Sequence, residues 1–448
     1  MLLVCNGFPP SGQWGTEYYA HQLSHGLLER GAQVGVFYPV RTGDRERFQV
    51  KRIEREGLSI FEVANAGDPR KSFRDSYQCE GVERAFAQLV EKEQPDVVHF
   101  LHLLWGLSIG LPAIAKASGA RTLVTPTDLG LICHRGQLFN NQSLRCDGVP
   151  DAQTCARCIR EPGQWDAPML PSELRRLAVR GLASVGGAGR LVMAKDIDER
   201  RAQVMRAARH VDHWIFPTRS MQVELLRAGV PLGSSTCLPY GIDEHLYDRA
   251  RVATRGSRFV YMSQYMPHKG LACLLDATRQ LERQLPESVE EWSVQLHGNG
   301  GRDRHRMYAR SLLSDLPRRV TDCGPFEPLR APQVLANTDC VVVPSEWIEN
   351  APLTILQARC AGVPVIASDV PGVAEVLEDG KHGLLFKAGD PEDLARAMSR
   401  VIAGELKHVK VDPLVRYGDH LDRIESIYGS SIVTLPKHNP AREKVPSL

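Results

Sequence analysis

Apolar residues in this chain follow two rhythms. Short runs such as Leu2-Leu-Val-Cys5, Val97-Val-His-Phe100, Phe259-Val-Tyr-Met262, Val341-Val-Val343 and Val363-Pro-Val-Ile-Ala367 read as strands buried on both faces. Between them apolar positions recur at helical spacing, over Thr16–Arg30 before Gly31, and from Pro352 through Leu353, Ile355, Leu356 and Ala358 to Gly362. Strand, helix and strand in that order form a βαβ unit, and parallel strands of this kind lie in a doubly wound α/β sheet. Such sheets bind ligands at their C-terminal edge, which here is the loop from Pro344 to Pro352. Further strands are expected at Arg121–Thr125, His213–Thr218, Leu238–Asp243 and Val294–His297, and a helix over Pro413–Tyr428. Residues 97–115 carry no formal charge, but His99, His102, Gly106, Ser108, Gly110 and Pro112 interrupt them, so they read as strand, loop and helix start and not as a membrane span.

At 448 residues the chain exceeds one comfortable core, and two domains of about 200 residues each are expected. Lys and Arg number 55 against 53 Asp and Glu, which argues against a nucleic-acid partner. The opening MLLVCNGFPPSG lacks the basic lead and long apolar run of a signal peptide, so a cytoplasmic location is expected. In that setting the 11 cysteines read as free thiols or metal ligands and not as disulfides.

Candidate chemistry sits on the strand ends. Glu349 precedes a helix whose first N–H groups and partial positive charge suit a diphosphate, with Asn350, Ala351, Pro352 and Leu353 supplying the turn. Gln357 follows on the same helix, about 8 Å beyond Pro352 at 1.5 Å per residue. Gly7, Gly12 and Gly15 allow a tight turn after the first strand; a lysine of the ATP-binding loop does not follow, so ATP hydrolysis is not supported. His102 and Asp128 each follow a strand, where a parallel sheet presents ligands. Lys269 precedes Gly270 and a helix, so its ammonium can meet a phosphate. Gly298 ends a strand where a backbone can approach a base or ribose closely.

Glu349, seven residues and Gln357 resemble the donor-site signature of the retaining glycosyltransferases of family 4, where the second position is usually Glu. The likeness extends to Gly15-Thr16-Glu17, to Pro95-Asp-Val-Val-His99 with His102, to Leu238-Pro-Tyr-Gly-Ile-Asp243, to Lys269, and to Gly383–Asp390. It departs at Trp14, where a second glycine is usual, at Thr127, often His, and at Gln264, often Arg. The resemblance implies the GT-B architecture, two Rossmann-like domains facing across a cleft. It also implies transfer of a sugar from a nucleotide-sugar, UDP- or GDP-linked, with retention and no essential metal. Glu349, Lys269 and His102 would then be catalytic. Gly15, Gln264, Gly298, Asn350, Ala351, Pro352, Leu353 and Gln357 would bind donor, and Thr16 and Asp128 would lie on the acceptor side. The acceptor stays open among glycan, lipid-linked and small-molecule classes, in polysaccharide or glycoconjugate biosynthesis. Two other readings stay open as well: a donor- or glycan-binding member without turnover, motivated by Gln264, Thr127 and Gln357, and a phosphorylase or epimerase of the same architecture.

The expected division is residues 1–242 as an acceptor-binding domain with a cysteine insert at 133–158, and 243–410 as the nucleotide-sugar domain. A helix at 411–430 crosses back, and a tail fills 431–448. Cys133, Cys146, Cys155 and Cys158, the last two in C-x-x-C spacing, are candidate ligands of a structural zinc ion. Between Pro171 and His210, nine Lys or Arg stand against four Asp or Glu, with Leu174, Leu177, Ala178 and Leu182 at helical spacing. That face suits a solvated helix or peripheral contact with the inner face of a membrane. Asp196 and Asp198 read as charges at a helix start and not as a metal pair.

Overall fold

The computed structural model describes residues 1–12, 14–41, 45–65, 72–161, 192–247, 257–285, 291–300, 303–406, 409 and 412–429. The basic stretch at 171–191 and the tail at 431–448 lie outside the described residues. The chain is α/β and contains two largely parallel sheets. Strands β1 (Leu2–Val4), β2 (Gly35–Val40), β3 (Val50–Arg55), β4 (Leu58–Ala64), β5 (Val97–Phe100), β6 (Arg121–Val124), β7 (His213–Phe216) and β8 (Ser234–Cys237) form the first. Its order is β3-β4-β2-β1-β5-β6-β7-β8, with β3 alone antiparallel to its neighbour. Strands β9 (Ser257–Met262), β10 (Trp292–His297), β11 (Val320–Asp322), β12 (Cys340–Val343), β13 (Val365–Ser368) and β14 (Gly383–Phe386) form the second, in the order β11-β10-β9-β12-β13-β14. In each sheet the order reverses beside a central strand, the point where doubly wound sheets open a ligand crevice.

The central strands form for the reason their sequence suggests: β5, β12 and β13 are buried along their whole length, so both faces take apolar residues. Two expectations shift. The last strand of the first sheet is β8, not Leu238–Asp243; Ser234-Ser-Thr-Cys237 is a half-buried edge whose polar residues gave no apolar signal, and it pairs with β7 from His213↔Ser234. The C-terminal helix covers Tyr417–Tyr428, starting four residues later than expected, since Arg416 is extended at φ −64 and ψ 144 and forms a parallel bridge with Ile242. The β3–β4 hairpin had no sequence signal that singled it out.

One apolar cluster runs without a break from Leu3, Tyr18 and Leu23 through Tyr240, Ile242 and Tyr247 to Val260, Val341, Ile355 and Val365, so the two sheets share a core. The helix Tyr417–Tyr428 lies on the first domain. Arg30 Nη1 donates to Asp422 Oδ1 at 2.6 Å and to Glu425 Oε2 at 2.7 Å, and Tyr417 Oη donates to Gln22 O. Two fully buried histidines complete this contact: His99 bonds Tyr428 Oη at 2.7 Å and Thr125 Oγ1 at 2.8 Å, and His420 bonds Tyr19 Oη at 3.0 Å. Among the described residues no helix is long and apolar enough to cross a membrane.

Burial holds His99 down to about 3, helped by the neighbouring His420 and His213, and holds His420 down to about 4. A depressed folded value means that the unfolded chain takes up protons first, so stability is complete above the ordinary histidine range and falls as pH drops from about 6.5 toward 4. Urea unfolding should lose about 2 kcal/mol per histidine between pH 7.5 and 5. His420→Gln should flatten that decline by roughly half; an unchanged slope would contradict the role of the buried ring.

Candidate functional site

The site grows from the end of β12. Pro344 stops the strand, and the loop carries Glu349, 4% exposed, down into the crevice. A buried carboxylate needs partners, and this one has them: Ser345 Oγ donates at 2.5 Å and Lys269 Nζ at 2.7 Å. Lys269 also stands 4.6 Å from the centre of the Trp347 ring, so its charge is shared between a carboxylate and an aromatic face. Two glycines interlock the loops that bear the pair. Gly270, at φ 70, packs so closely on Pro344 O that a Cβ would collide with it, and Gly372, at φ 86, does the same on Glu349 O. Gly298 is as confined, since a Cβ there would strike Ser263 O.

The helix begins at Leu353, with Pro352 as its N-cap residue and Ala351 at φ 50, a conformation a non-glycine residue adopts at a cost. Leu353 lies against Gly15, where a Cβ would sit 3.5 Å from Leu353 Cδ1, so the two helix N-termini face each other across the crevice. Gln357 is buried and faces the hydroxyls of Tyr18 and Tyr247, both held protonated chiefly by burial. Gln264 is half-buried, and its backbone carbonyl accepts from Tyr261 Oη at 2.9 Å. Asn350 spends its side chain elsewhere than expected. Its Nδ2 donates to Pro126 O at 2.9 Å and reaches Tyr240 Oη at 3.4 Å, while Thr218 Oγ1 donates to its Oδ1 at 3.3 Å. Asn350 therefore ties the loop after β12 to the first domain, through contacts that sequence spacing does not encode.

On the opposite wall Thr16 is half-exposed in the first turn of the helix Gly15–Glu29. Glu17 is buried beneath Gly7 and Gly12 and accepts from the Trp14 backbone N–H; burial raises its carboxyl above the ordinary range against that donor and the nearby His102. His102 Nδ1 accepts from Leu104 N–H at 3.0 Å, which leaves the proton on Nε2, 3.3 Å from Asp128 Oδ2. Both ring nitrogens are thus engaged. Asp128 further accepts from Trp105 Nε1 at 3.1 Å and Gly130 N–H at 2.7 Å. Burial pushes its carboxyl up, but His102 and these donors outweigh it and hold it below the usual range. Thr127 Oγ1 donates to Leu101 O at 2.9 Å and so supports the strand end.

The four expected metal ligands come from three places, Cys133, Cys146 beside the Phe139↔Arg145 bridge, and Cys155 and Cys158 on the helix Ala152–Arg160. All four are free thiols, and the other three help burial raise Cys146 to about 11. They do not form a set whose ligand atoms all lie within 4.8 Å, whereas tetrahedral zinc would hold sulfurs about 3.8 Å apart. Asp196 accepts from Met193 N–H at 2.8 Å at the start of the helix Ala194–Ala208, a capping role. A cleft of about 700 Å³ lies beside the site between Phe139 and Arg145 on one wall and Glu346, Asp369 and Phe386 on the other; neither Lys269 nor Glu349 lines it. Ser345, Trp347, Tyr18 and Tyr247 had no signal of their own. Ser345 and Trp347 flank Glu349 within four positions, the one hint available.

Removing one partner of a buried ion pair strands the other, so Lys269→Ala should cost about 3 kcal/mol in urea unfolding, with much of it returned by Lys269→Ala combined with Glu349→Gln. Additive losses in the double variant would show that the two side chains do not interact.

A family model described as glycosyl transferase 4-like domain matches residues 15–241, and one described as glycosyl transferases group 1 matches residues 248–413. D-inositol 3-phosphate glycosyltransferase from Nocardia farcinica is 27% identical over 251 residues, 53% of this chain and 54% of that protein. Phosphatidyl-myo-inositol mannosyltransferase from Mycobacterium tuberculosis is 29% identical over 174 residues, 37% of this chain and 43% of that protein. The chain spans about half the length of the curated relatives it matches. Among solved structures, sucrose-phosphate synthase from Thermosynechococcus elongatus superposes with TM-score 0.60 at 16% identity, covering 95% of this chain and 94% of that one. HepE from Anabaena, in complex with UDP and glucose, superposes with TM-score 0.54 at 15% identity, covering 95% and 94%. Both likenesses are of fold, the two-domain GT-B architecture.

Proposed function

Since the chain belongs to the glycosyltransferase family whose 4-like and group 1 domains match its two halves, we propose that it moves a sugar from a nucleotide-sugar donor to a hydroxyl acceptor with retention at the anomeric carbon. The observation that carries this reading is the Lys269–Glu349–Ser345 cluster at the end of β12, opposite Gly15. Lys269 has three N–H donors, so it can keep Glu349 and still meet a diphosphate. Its charge, with the N-terminus of the helix Leu353–Cys360, would act most strongly on the negative charge that develops as the diphosphate leaves. Glu349, charged and fixed, would grip hydroxyls of the transferred hexose. Gln357 would hold the ribose together with the Tyr18 and Tyr247 hydroxyls. Gln264 and Gly298 would take diphosphate and base.

His102 acts here as a positioning residue. Its engaged ring fixes Asp128 in the charged state beside the acceptor wall with Thr16. No catalytic metal enters this scheme, and the four thiols of the 133–158 insert are proposed to hold a structural zinc ion, which would have to draw their sulfurs closer together. UDP- or GDP-sugars are the proposed donors; HepE, a neighbour in fold, binds UDP and glucose, which supports UDP. The relatives' names support a polyol or lipid-linked acceptor in glycoconjugate biosynthesis. A binding protein without turnover is the second reading, favoured by glutamine at both 264 and 357.

A thermal-shift screen of UDP-, GDP- and ADP-sugars should find one that raises the melting temperature by about 3 °C at a hundredfold excess over Kd, with the shift abolished in Lys269→Ala and Glu349→Ala. If none of the three stabilises the protein, the donor assignment fails; if one does and no acceptor ever releases nucleotide, the binding reading stands. Gln357→Glu restores a charge-assisted bond worth about 1 kcal/mol, so calorimetry should show donor binding roughly fivefold tighter. Unchanged affinity would remove Gln357 from the donor site.

A further inference from the structure

A set of metal-ligating side chains lies outside the cleft, on the first helix. His21 and His25 are one turn apart on Gly15–Glu29, so both imidazoles leave the same face, with ring centroids 4.4 Å apart. Glu56 approaches from the turn between β3 and β4, and its Oε2 lies 3.2 Å from His25 Nε2. One ligand atom from each of the three lies within 4.8 Å of the other two; among the described residues this is the set for which that holds.

Glu56 and His21 are each held from behind. The Glu56–Gly57 turn has φ of 51° and 79°, the two positive values of a tight hairpin, and the ladder closes on it at Arg55↔Leu58. From the same turn Arg55 Nη1 donates to Pro9 O at 2.6 Å. The Phe8 ring stands 5.7 Å from the His21 ring and backs it. A simple ion pair would use His25 and Glu56 and give no reason for a second imidazole converging on the same point.

Two imidazoles and a carboxylate are the donor set of borderline divalent metals, zinc above all, with water taking the remaining position on an exposed side. We propose that His21, His25 and Glu56 form a site for a divalent transition metal, zinc in particular, that clamps the β3–β4 hairpin to the first helix. Ligand atoms in tetrahedral zinc stand about 3.3 Å apart, so closure from the present spacing asks for small rotations, chiefly of the exposed Glu56 side chain. The clamp would not touch reacting atoms. It would brace the loop from Phe8 to Gly12 and the helix whose first turn faces Leu353, and so set how rigidly one wall of the cleft is held.

The test uses the full chain, stripped of metal and titrated with Co²⁺, reading d–d absorbance, bound ion per chain and melting temperature. Wild type, His21→Ala, Glu56→Gln and the double variant Cys155→Ser/Cys158→Ser are compared. The expected result is a Co²⁺ site that persists in the cysteine variant, where it shows no thiolate charge-transfer band, together with a raised melting temperature and affinity at that site weakened by about tenfold or more in His21→Ala and in Glu56→Gln but not in the cysteine variant. Equal binding by wild type and Glu56→Gln overturns the site, as does binding seen only with a thiolate band that disappears in the cysteine variant, or no binding by wild type. Should His21→Ala fail to fold, Glu56→Gln, altered at an exposed side chain, decides alone.

Discussion

A carboxylate buried at the mouth of a parallel sheet is the constraint around which this molecule is arranged. Glu349 is almost out of solvent, and such a charge survives only with hydrogen-bond donors placed for it. Ser345 comes from the same loop, four residues back, but Lys269 comes from 80 positions earlier. Bringing that ammonium within reach requires β9 and β12 to be neighbours and the loops after both to pack backbone on backbone. Gly270 and Gly372 are what that packing demands, since any side chain at either would displace a carbonyl on the β12 loop. The donor pocket proposed here is therefore inseparable from the way the second sheet closes.

The two domains are bound together by the same loop. Ile348 packs into the apolar cluster of the first domain, alongside Leu103, Leu104 and Leu131, and Asn350 bonds Pro126, Thr218 and Tyr240. A second tie runs from Glu375, which accepts the backbone N–H groups of Arg219 at 2.6 Å and Ser220 at 2.8 Å at the start of a helix, where a negative charge is favoured. Helix Tyr417–Tyr428 provides the third. Residues one position away from Glu349 thus hold the walls together, and any opening of the cleft would have to exchange these bonds for others.

Much of this was legible in the chain. Unbroken apolar runs marked the central strands because both faces of a parallel strand are covered, and glycine, proline and the 3.6-residue rhythm marked where helices begin. Glu349 and Lys269 each stand after a strand and meet in the fold, and Gly15 lies against Leu353 on the facing wall. What resisted reading is what lies at edges and between distant segments. Ser234–Cys237 is a polar edge strand with no hydrophobic run, and the bond from Asn350 to Pro126 joins positions 224 residues apart. The four cysteines share one insert, yet their spacing along the chain left the separation of their sulfurs undetermined.

The sequence alone therefore determined the α/β class, the βαβ order and the residue types at the crevice, since burial periodicity and turn chemistry act over a few residues and are written locally. Only the tertiary structure decided that Lys269 neutralises Glu349, that Gln357 looks onto Tyr18 and Tyr247, that both nitrogens of His102 are engaged, and that His21, His25 and Glu56 meet. Each of those depends on elements tens to hundreds of residues apart arriving at one point, and that arrival is fixed by how the sheets and helices pack, which no local pattern records.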